Sequence, residues 1–221
     1  MNFQDTQLIG VLARAESTVS SLSNLLGGLV EKFAARGYSL YLVGGSVRDA
    51  LLGRLGNDLD FTTPARPEVV KEILDEWAET VWDTGIDFGT VSAAYKGQQI
   101  EITTFRSDSY DGQSRNPEVV YGDTLEGDLV RRDFKANAMA IELLADASFK
   151  FHDPLHGLQD IADRVLDTPD KPEISFHDDP LRMLRAARFA SQLEFRVADR
   201  VVEAMRDMAG EIQRITVERV Q

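Results

Sequence analysis

Apolar residues along the chain switch between helical and strand spacing, and the switches divide it into elements. From Thr18 to Arg36, Val19, Leu22, Leu25, Leu26, Leu29, Val30 and Phe33 recur at helical spacing, and Gly37 is a natural stop. Residues 1–16 are polar and weakly patterned, so an irregular start is expected. Leu40 to Val43 reads as an apolar strand. A Gly44-Gly45-Ser46 turn, a short helix and a Gly-rich link follow. A second strand then carries Asp58 and Asp60. Pro67 opens a helix over Glu68 to Glu79, with Val69, Val70, Ile73, Leu74 and Trp77 inward. Strands are predicted over Thr90 to Tyr95 and Gln99 to Phe105, and Lys96-Gly97 between them suits a tight hairpin.

Residues 107–118 are polar, contain Gly and Pro and lack periodicity, which predicts a long surface loop. A helix is expected over Leu125 to Ala138, then strands at Met139 to Leu144 and Phe149 to Phe151, turning at Asp146-Ala147-Ser148. After Asp153-Pro154 the texture becomes helical: Leu158 to Asp163, Asp179 to Leu193, Ala198 to Ala209. Thr216 would cap one more helix, which the chain leaves unfinished, as a fragment end would. The pattern divides the chain into an α/β part, 1–153, and a helical part, 154–221, truncated at its C-terminus.

The 221 residues suffice for one large domain or two small ones, and 43% are hydrophobic. There is no cysteine, hence no disulfide and no thiolate metal site. No apolar run approaches the ~18 residues of a membrane span, and the N-terminus lacks a signal-peptide pattern. A cytoplasmic setting is the default expectation. The net charge of −13 argues against a general nucleic-acid binder. The cations of residues 176–221 are all arginines, however, so a polyanion would be met on a local patch.

Candidate chemistry begins at Asp58 and Asp60, which flank Leu59. Residues i and i+2 of a strand share a face, so these carboxylates sit together while Leu59 and Phe61 turn to the core. Like charges so placed repel unless a cation neutralises them, and oxygen donors suit Mg²⁺. A solvated strand end is the plainer account. Gly44 and Gly45, where strand meets helix, would leave backbone N–H groups free for an anion. They also fit a simple tight turn. Glu101 alternates with Ile100 and Ile102, and completes a three-carboxylate set if its strand lies beside Asp58 and Asp60; otherwise it is an exposed strand residue. Arg48 could reach phosphate oxygens while Asp49 pairs or caps. Of Arg131 and Arg132, which point to different sides of a helix, one could serve a ligand. Asp133 and Asn137, four apart, could hold a ribose hydroxyl or belong to a charged helix surface.

Asp178-Asp179-Pro180 is a strong helix start. It does not explain Arg182, Arg185 and Arg188, which step along one side while Leu181, Leu184 and Phe189 pack elsewhere. A guanidinium and a carboxylate three residues apart could read a base edge, and Arg185 and Arg188 suit phosphates. His152, His156 and His177 have no metal-ligand spacing.

LVGGSVRDALLGRLGNDLDF, IEITTFR, DLVRRDFKANAMA, DPLHGLQDIADR and DDPLRMLRAARFASQLEF, in that order, resemble the class II tRNA nucleotidyltransferases. These are the CCA-adding enzymes and bacterial poly(A) polymerases of the DNA polymerase β superfamily. The resemblance spans roughly residues 38–196. It implies an α+β fold: a polymerase β-like nucleotidyltransferase head with a mixed sheet, followed by an all-α neck domain. It implies Mg²⁺ as cofactor on Asp58, Asp60 and Glu101, and Gly44, Gly45, Arg48 and Arg132 on the triphosphate. Asp133 and Asn137 would contact the ribose. Asp179 and Arg182 would be an amino-acid template for cytosine or adenine, with Arg185 and Arg188 supporting the triphosphate. The partners would be CTP, ATP and the tRNA 3′ end, gripped mostly by domains beyond Gln221.

The family usually has Glu at Asp178 and Thr at Lys135, and often Arg at Asp167. The expected function is addition of CMP and AMP to tRNA. The alternatives are poly(A), A- or CC-adding activity, or a nucleotide-binding module without catalysis.

Overall fold

The computed structural model describes residues 3–106 and 120–215, with side chains from residue 9 onward. The loop expected at 107–118 and the helix start at Thr216 lie outside the described residues. Helix α1 runs Phe3–Ala35, so the irregular start expected for residues 1–16 is corrected. Val11 and Ala15 extend the buried stripe upstream of Thr18. That stripe is thin and surrounded by polar residues, which hid it. Gly37 ends the helix at φ 79°: its N–H bonds to Ala34 and that of Tyr38 to Phe33, the paired bonds of a Schellman end.

The sheet part continues with β1 (Leu40–Val43), α2 (Gly44–Leu51), β2 (Asp58–Thr63), α3 (Pro67–Trp77), β3 (Thr80–Trp82), β4 (Thr90–Tyr95) and β5 (Gln98–Thr104). Then come α4 (Leu125–Val130), β6 (Ala140–Leu143) and β7 (Phe149–His152). The seven strands form one sheet in the order β3-β4-β5-β2-β1-β6-β7. Only β2 and β5 are parallel in it, so the sheet is mixed. Leu59, Phe61, Ile100 and Ile102 face the core shared with α1 and α3. Asp58, Asp60 and Glu101 take the alternate positions and are exposed. Lys96 and Gly97 both have positive φ, as the tight hairpin required.

The helix expected over Leu125 to Ala138 breaks. Helix α4, capped by Thr124 Oγ1 accepting from Gly127 N–H (3.2 Å), ends at Val130. Asp133 takes the Phe134 N–H on its own carboxylate (2.9 Å). That side-chain bond competes with helix continuation. Phe134 is extended and fully buried, and a 3₁₀ turn covers Lys135–Asn137.

The C-terminal part comprises α5 (Gly157–Asp163), β8 (Val165–Leu166), α6 (Pro172–Asp178), α7 (Leu181–Leu193), β9 (Arg196–Val197) and α8 (Asp199–Asp207). The one addition to a helical neck is the parallel pairing of β8 with β9. Helices α6, α7 and α8 share a small core of Phe176, Met183, Val201 and Ala204. Phe189 and Leu193, at the far end of α7, join the main core instead. Among the described residues no helix is long and apolar enough to cross a membrane.

Helix α5 packs tightly on the 3₁₀ turn. A Cβ at Gly157 would collide with the Lys135 carbonyl, so only glycine permits this approach. Asp160 of α5 has one oxygen buried without a hydrogen-bond partner. Burial pushes its carboxyl up to about 6, against the pull of Lys135. An acid raised on folding binds its proton in the folded state first, so stability falls as pH rises from about 4 to about 6. Asp160→Asn should therefore raise Tm at pH 7 by about 3 °C and leave it unchanged at pH 4, as scanning calorimetry would show. An equal effect at both pH values would mean that Asp160 titrates normally.

Candidate active site

Register builds the floor of the site. In the β2–β5 pair Asp60 lies opposite Glu101, and Asp58 is two residues along on the same face. The condition for a three-carboxylate set is thus met: the two strands are neighbours. Although its surface is accessible, partial desolvation by the cleft walls raises the Asp60 carboxyl above its ordinary range, with Glu101 and Asp58 adding to the effect and Arg132 and Arg48 opposing it. Among the described residues no three His, Asp or Glu side chains gather around one metal position. The donors have the right chemistry for a hard cation.

The wall beside this floor is the start of α2. Gly44 has φ 67°, and a Cβ there would lie 2.9 Å from an Arg132 guanidinium nitrogen. The conformation calls for glycine, while the Arg132 guanidinium, at the end of a flexible side chain, could shift to admit a Cβ. Val43 at the N-cap gives no side-chain bond, so the first N–H groups of α2 have no side-chain cap. Ser46 ties this turn to the acids: its Oγ accepts from the Asp60 N–H at 2.9 Å. The sequence reading gave Ser46 no role. Its position after the glycine pair was the available signal.

Arg48 is buried, and Asp49 pairs with it rather than capping the helix. Nε and a terminal nitrogen of Arg48 donate to the Asp49 carboxylate at 2.9 and 3.0 Å, and the other donates to Asn137 Oδ1 at 2.8 Å. Asn137 Nδ2 in turn donates to Asp133 Oδ1 (2.9 Å). Asp133 and Asn137 do come together, through the 3₁₀ turn and not on a helix face. Asp133 Oδ2 accepts from Arg185 at 2.7 Å, bridging sheet part and helical part. Arg132 donates to Asp128 at 2.9 Å.

Asp179 Oδ1 accepts from the Leu181 N–H at 3.1 Å. Arg182 spans the two parts, donating to Ser175 Oγ (2.8 Å) and to the Arg131 carbonyl (2.7 Å). Leu181 lines the cleft, contrary to the sequence reading, and Phe189 lines it as well while also packing in the main core. The Phe189 ring carries three guanidiniums, those of Arg48, Arg185 and Arg188, each about 5 Å from its centre. Nothing in the spacing distinguished Phe189 from a core aromatic. Arg188 is exposed and reaches the site only through that ring.

These groups enclose a cleft in two lobes. One, of about 540 Å³, is lined by Gly44, Gly45, Arg48, Asp60, Arg132, Asp133, Asn137, Asp179, Leu181, Arg182, Arg185 and Phe189. The other, of about 410 Å³, adds Glu101, Thr103, Arg106, Asp128 and Arg131 to the shared Asp60, Arg132, Asp179 and Arg182. Both arginines of the adjacent pair therefore line it, Arg132 in both lobes and Arg131 in the second. Such volumes suit a small-molecule ligand, and the arginine-rich wall favours an anion. Lys135 and Asp167 meet at 2.7 Å behind it. His152 lies 3.3 Å from Glu142, outside both lobes.

A mixed sheet bearing strand carboxylates beside a glycine turn, with helices closing an arginine-lined cleft, is the architecture of a nucleotidyltransferase head. Residues 40–167 match the family described as the poly A polymerase head domain, and the chain belongs to that family. A CCA-adding enzyme from Lactobacillus helveticus is 42% identical over 186 residues, covering 84% of this chain and 45% of that protein. One from Listeria monocytogenes is 40% identical over 193 residues, covering 87% and 47%. The chain thus spans about half the length of these relatives. The CCA-adding enzyme of Bacillus stearothermophilus, solved with CTP, superposes with TM-score 0.75 at 36% identity, over 89% of this chain and 46% of that one. A tRNA nucleotidyltransferase solved with primer tRNA and an ATP analogue gives 0.67 at 29% identity, over 87% and 50%.

The Phe189 platform is testable by a double-mutant cycle of Arg188→Met with Phe189→Leu, read by urea unfolding. A coupling of about 0.5–1 kcal/mol is expected, and additive effects would remove the ring's role.

Proposed function

We propose that this chain is the catalytic portion of a template-independent nucleotidyltransferase that adds CMP and AMP from CTP and ATP to the 3′ end of tRNA. The observation carrying this reading is one cleft shared by Asp60 and Glu101 on the sheet and Asp179 and Arg182 on the helices. Phosphoryl-transfer acids alone suit many nucleotide enzymes. Acids facing a carboxylate–guanidinium pair on a helical neck suit one that also chooses a base. The named relatives act on the same chemistry. We extend the division at residue 153 as part of the proposal: a catalytic head, 1–153, and a nucleotide-selecting neck, 154–221. A cytoplasmic setting belongs to the same proposal.

Asp58, Asp60 and Glu101 would hold Mg²⁺, which when bound would activate the RNA 3′-hydroxyl and offset charge on the leaving pyrophosphate. The α2 N–H groups of Gly44 and Gly45, with Arg132 and Arg48, hold the triphosphate in line with that hydroxyl. Asp133 and Asn137 hold the ribose. The 3′-oxygen forms a bond to the α-phosphorus as the α–β bridging bond breaks, and pyrophosphate leaves. Asp179 accepts from the base edge and Arg182 donates to it, while Arg185 and Arg188, on the Phe189 ring, keep the wall positive. A base with the wrong edge leaves the half-buried Asp179 and Arg182 unpaired, which rejects it.

Incorporation of labelled CTP and ATP into tRNA lacking its CCA end tests the reading, and product length separates CCA addition from poly(A), A- or CC-addition. Asp60→Ala should lower incorporation by roughly a hundredfold or more. Arg182→Ala should relax selection of CTP over UTP by about tenfold or more. Undiminished incorporation in the first variant would remove the metal role, and unchanged selection in the second would remove the template role. CTP binding without any pyrophosphate release would instead leave a nucleotide-binding module.

A further inference from the structure

Behind the cleft, charged side chains make a second bridge between the sheet part and the helical part. Lys135 lies between Asp133 and Asn137 in the chain but does not line the cleft. Its backbone N–H donates to the Asp167 carbonyl (2.9 Å), and its Nζ to Asp167 Oδ2 (2.7 Å). The other oxygen of Asp167 accepts from Arg200 Nε (2.7 Å) and from the Thr168 N–H (3.0 Å). Arg200 also donates to the Thr168 carbonyl at 2.7 Å. Asp167 directly follows β8, whose Leu166 is fully buried, so its backbone is fixed.

Arg200 belongs to α8, whose Val201 and Ala204 pack on Phe176 and Met183. Met183 lies in α7 beside Arg182, two residues from Arg185. The segment Asp133–Asn137 is therefore held from two sides. Arg185 grips Asp133 in front, and Asp167 grips Lys135 behind. The rear bridge is a poor stability device: the Lys135 and Arg200 side chains are 24% and 44% exposed, and such pairs contribute little net stability. What charge-assisted bonds at these distances supply is fixed geometry. Lys135 has a further contact, since its charge also offsets part of the repulsion between Asp167 and the half-buried Asp160 on α5.

We propose that Asp167 is a positioning residue for base selection: through Lys135 and Arg200 it holds the Asp133–Asn137 segment and helix α7 at the separation at which Asp179 and Arg182 discriminate between bases. The proposal rests on the nucleotide-selecting reading of that pair. It places control of selectivity outside the cleft, in groups that touch no nucleotide.

The test is calorimetric titration of the chain with CTP, ATP and UTP, alongside Tm, in Asp167→Asn, Arg200→Gln and Asp167→Glu. The first two should lower the preference for CTP over UTP by about three- to tenfold with Tm shifted by only a few degrees. Asp167→Glu, which keeps the charge, should restore most of the preference. Wild-type preference in both Asp167→Asn and Arg200→Gln, whatever their Tm, overturns the proposal. Should Asp167→Asn fail to fold, Arg200→Gln decides alone, because its side chain is at the surface. A wild type without preference for CTP over UTP overturns the nucleotide-selecting reading itself, which is a different failure.

Discussion

Three carboxylates on one face of two neighbouring strands repel one another, and the rest of the molecule is arranged around that repulsion. The strands cannot escape it by slipping register. A one-residue shift of β2 would turn Leu59 and Phe61 to solvent and Asp60 into the core, and one of β5 would do the same with Ile100, Ile102 and Glu101. The apolar back of the sheet therefore fixes the charged front. Arg48 and Arg132 lower the cost without abolishing it, since Asp60 still holds its proton more tightly than an ordinary aspartate. A divalent cation would relieve this repulsion, which is the physical ground for the proposed metal–nucleotide site.

The arginines that face these acids create a repulsion of their own, handled by two devices. Asp133 accepts from Phe134, Asn137 and Arg185, which breaks a helix and joins the sheet part to the neck. Phe189 presents its ring to three guanidiniums and keeps them fanned in place. Charge in the cleft is thus organised by one carboxylate and one aromatic ring that hold the ligand-facing groups in position.

Much of this was legible in the sequence. The strand–turn–helix–strand from Leu40 to Phe61 is a local pattern of period two, a glycine pair and period two again, and it folds as it reads. Alternation placed Glu101 on the right face, although only the sheet order could bring it opposite Asp60. What escaped were tertiary outcomes. The break at Asp133 depends on a side chain capturing a neighbouring N–H, in a segment whose periodicity looks helical. Strand β3 is short and at the sheet edge, so it carries little alternation. Helix α6 is seven residues, with little room for a period. Phe189 has the spacing of a core residue and is one; its second role comes from which arginines surround it.

Lys135 and Asp167 show why charged residues are best read in pairs. Each alone looks like an intrusion of charge near a catalytic segment. Together they form one ion pair at 2.7 Å, with Arg200 on the other oxygen. The central claim remains that the sheet acids and the neck arginines act as one metal–nucleotide site. Titrating Mn²⁺ into the chain with and without CTP, followed by electron paramagnetic resonance, tests it most directly. The account predicts Mn²⁺ binding strengthened by CTP, with both the binding and the CTP effect lost in Glu101→Gln. Binding indifferent to CTP, or unaltered by Glu101→Gln, would contradict it.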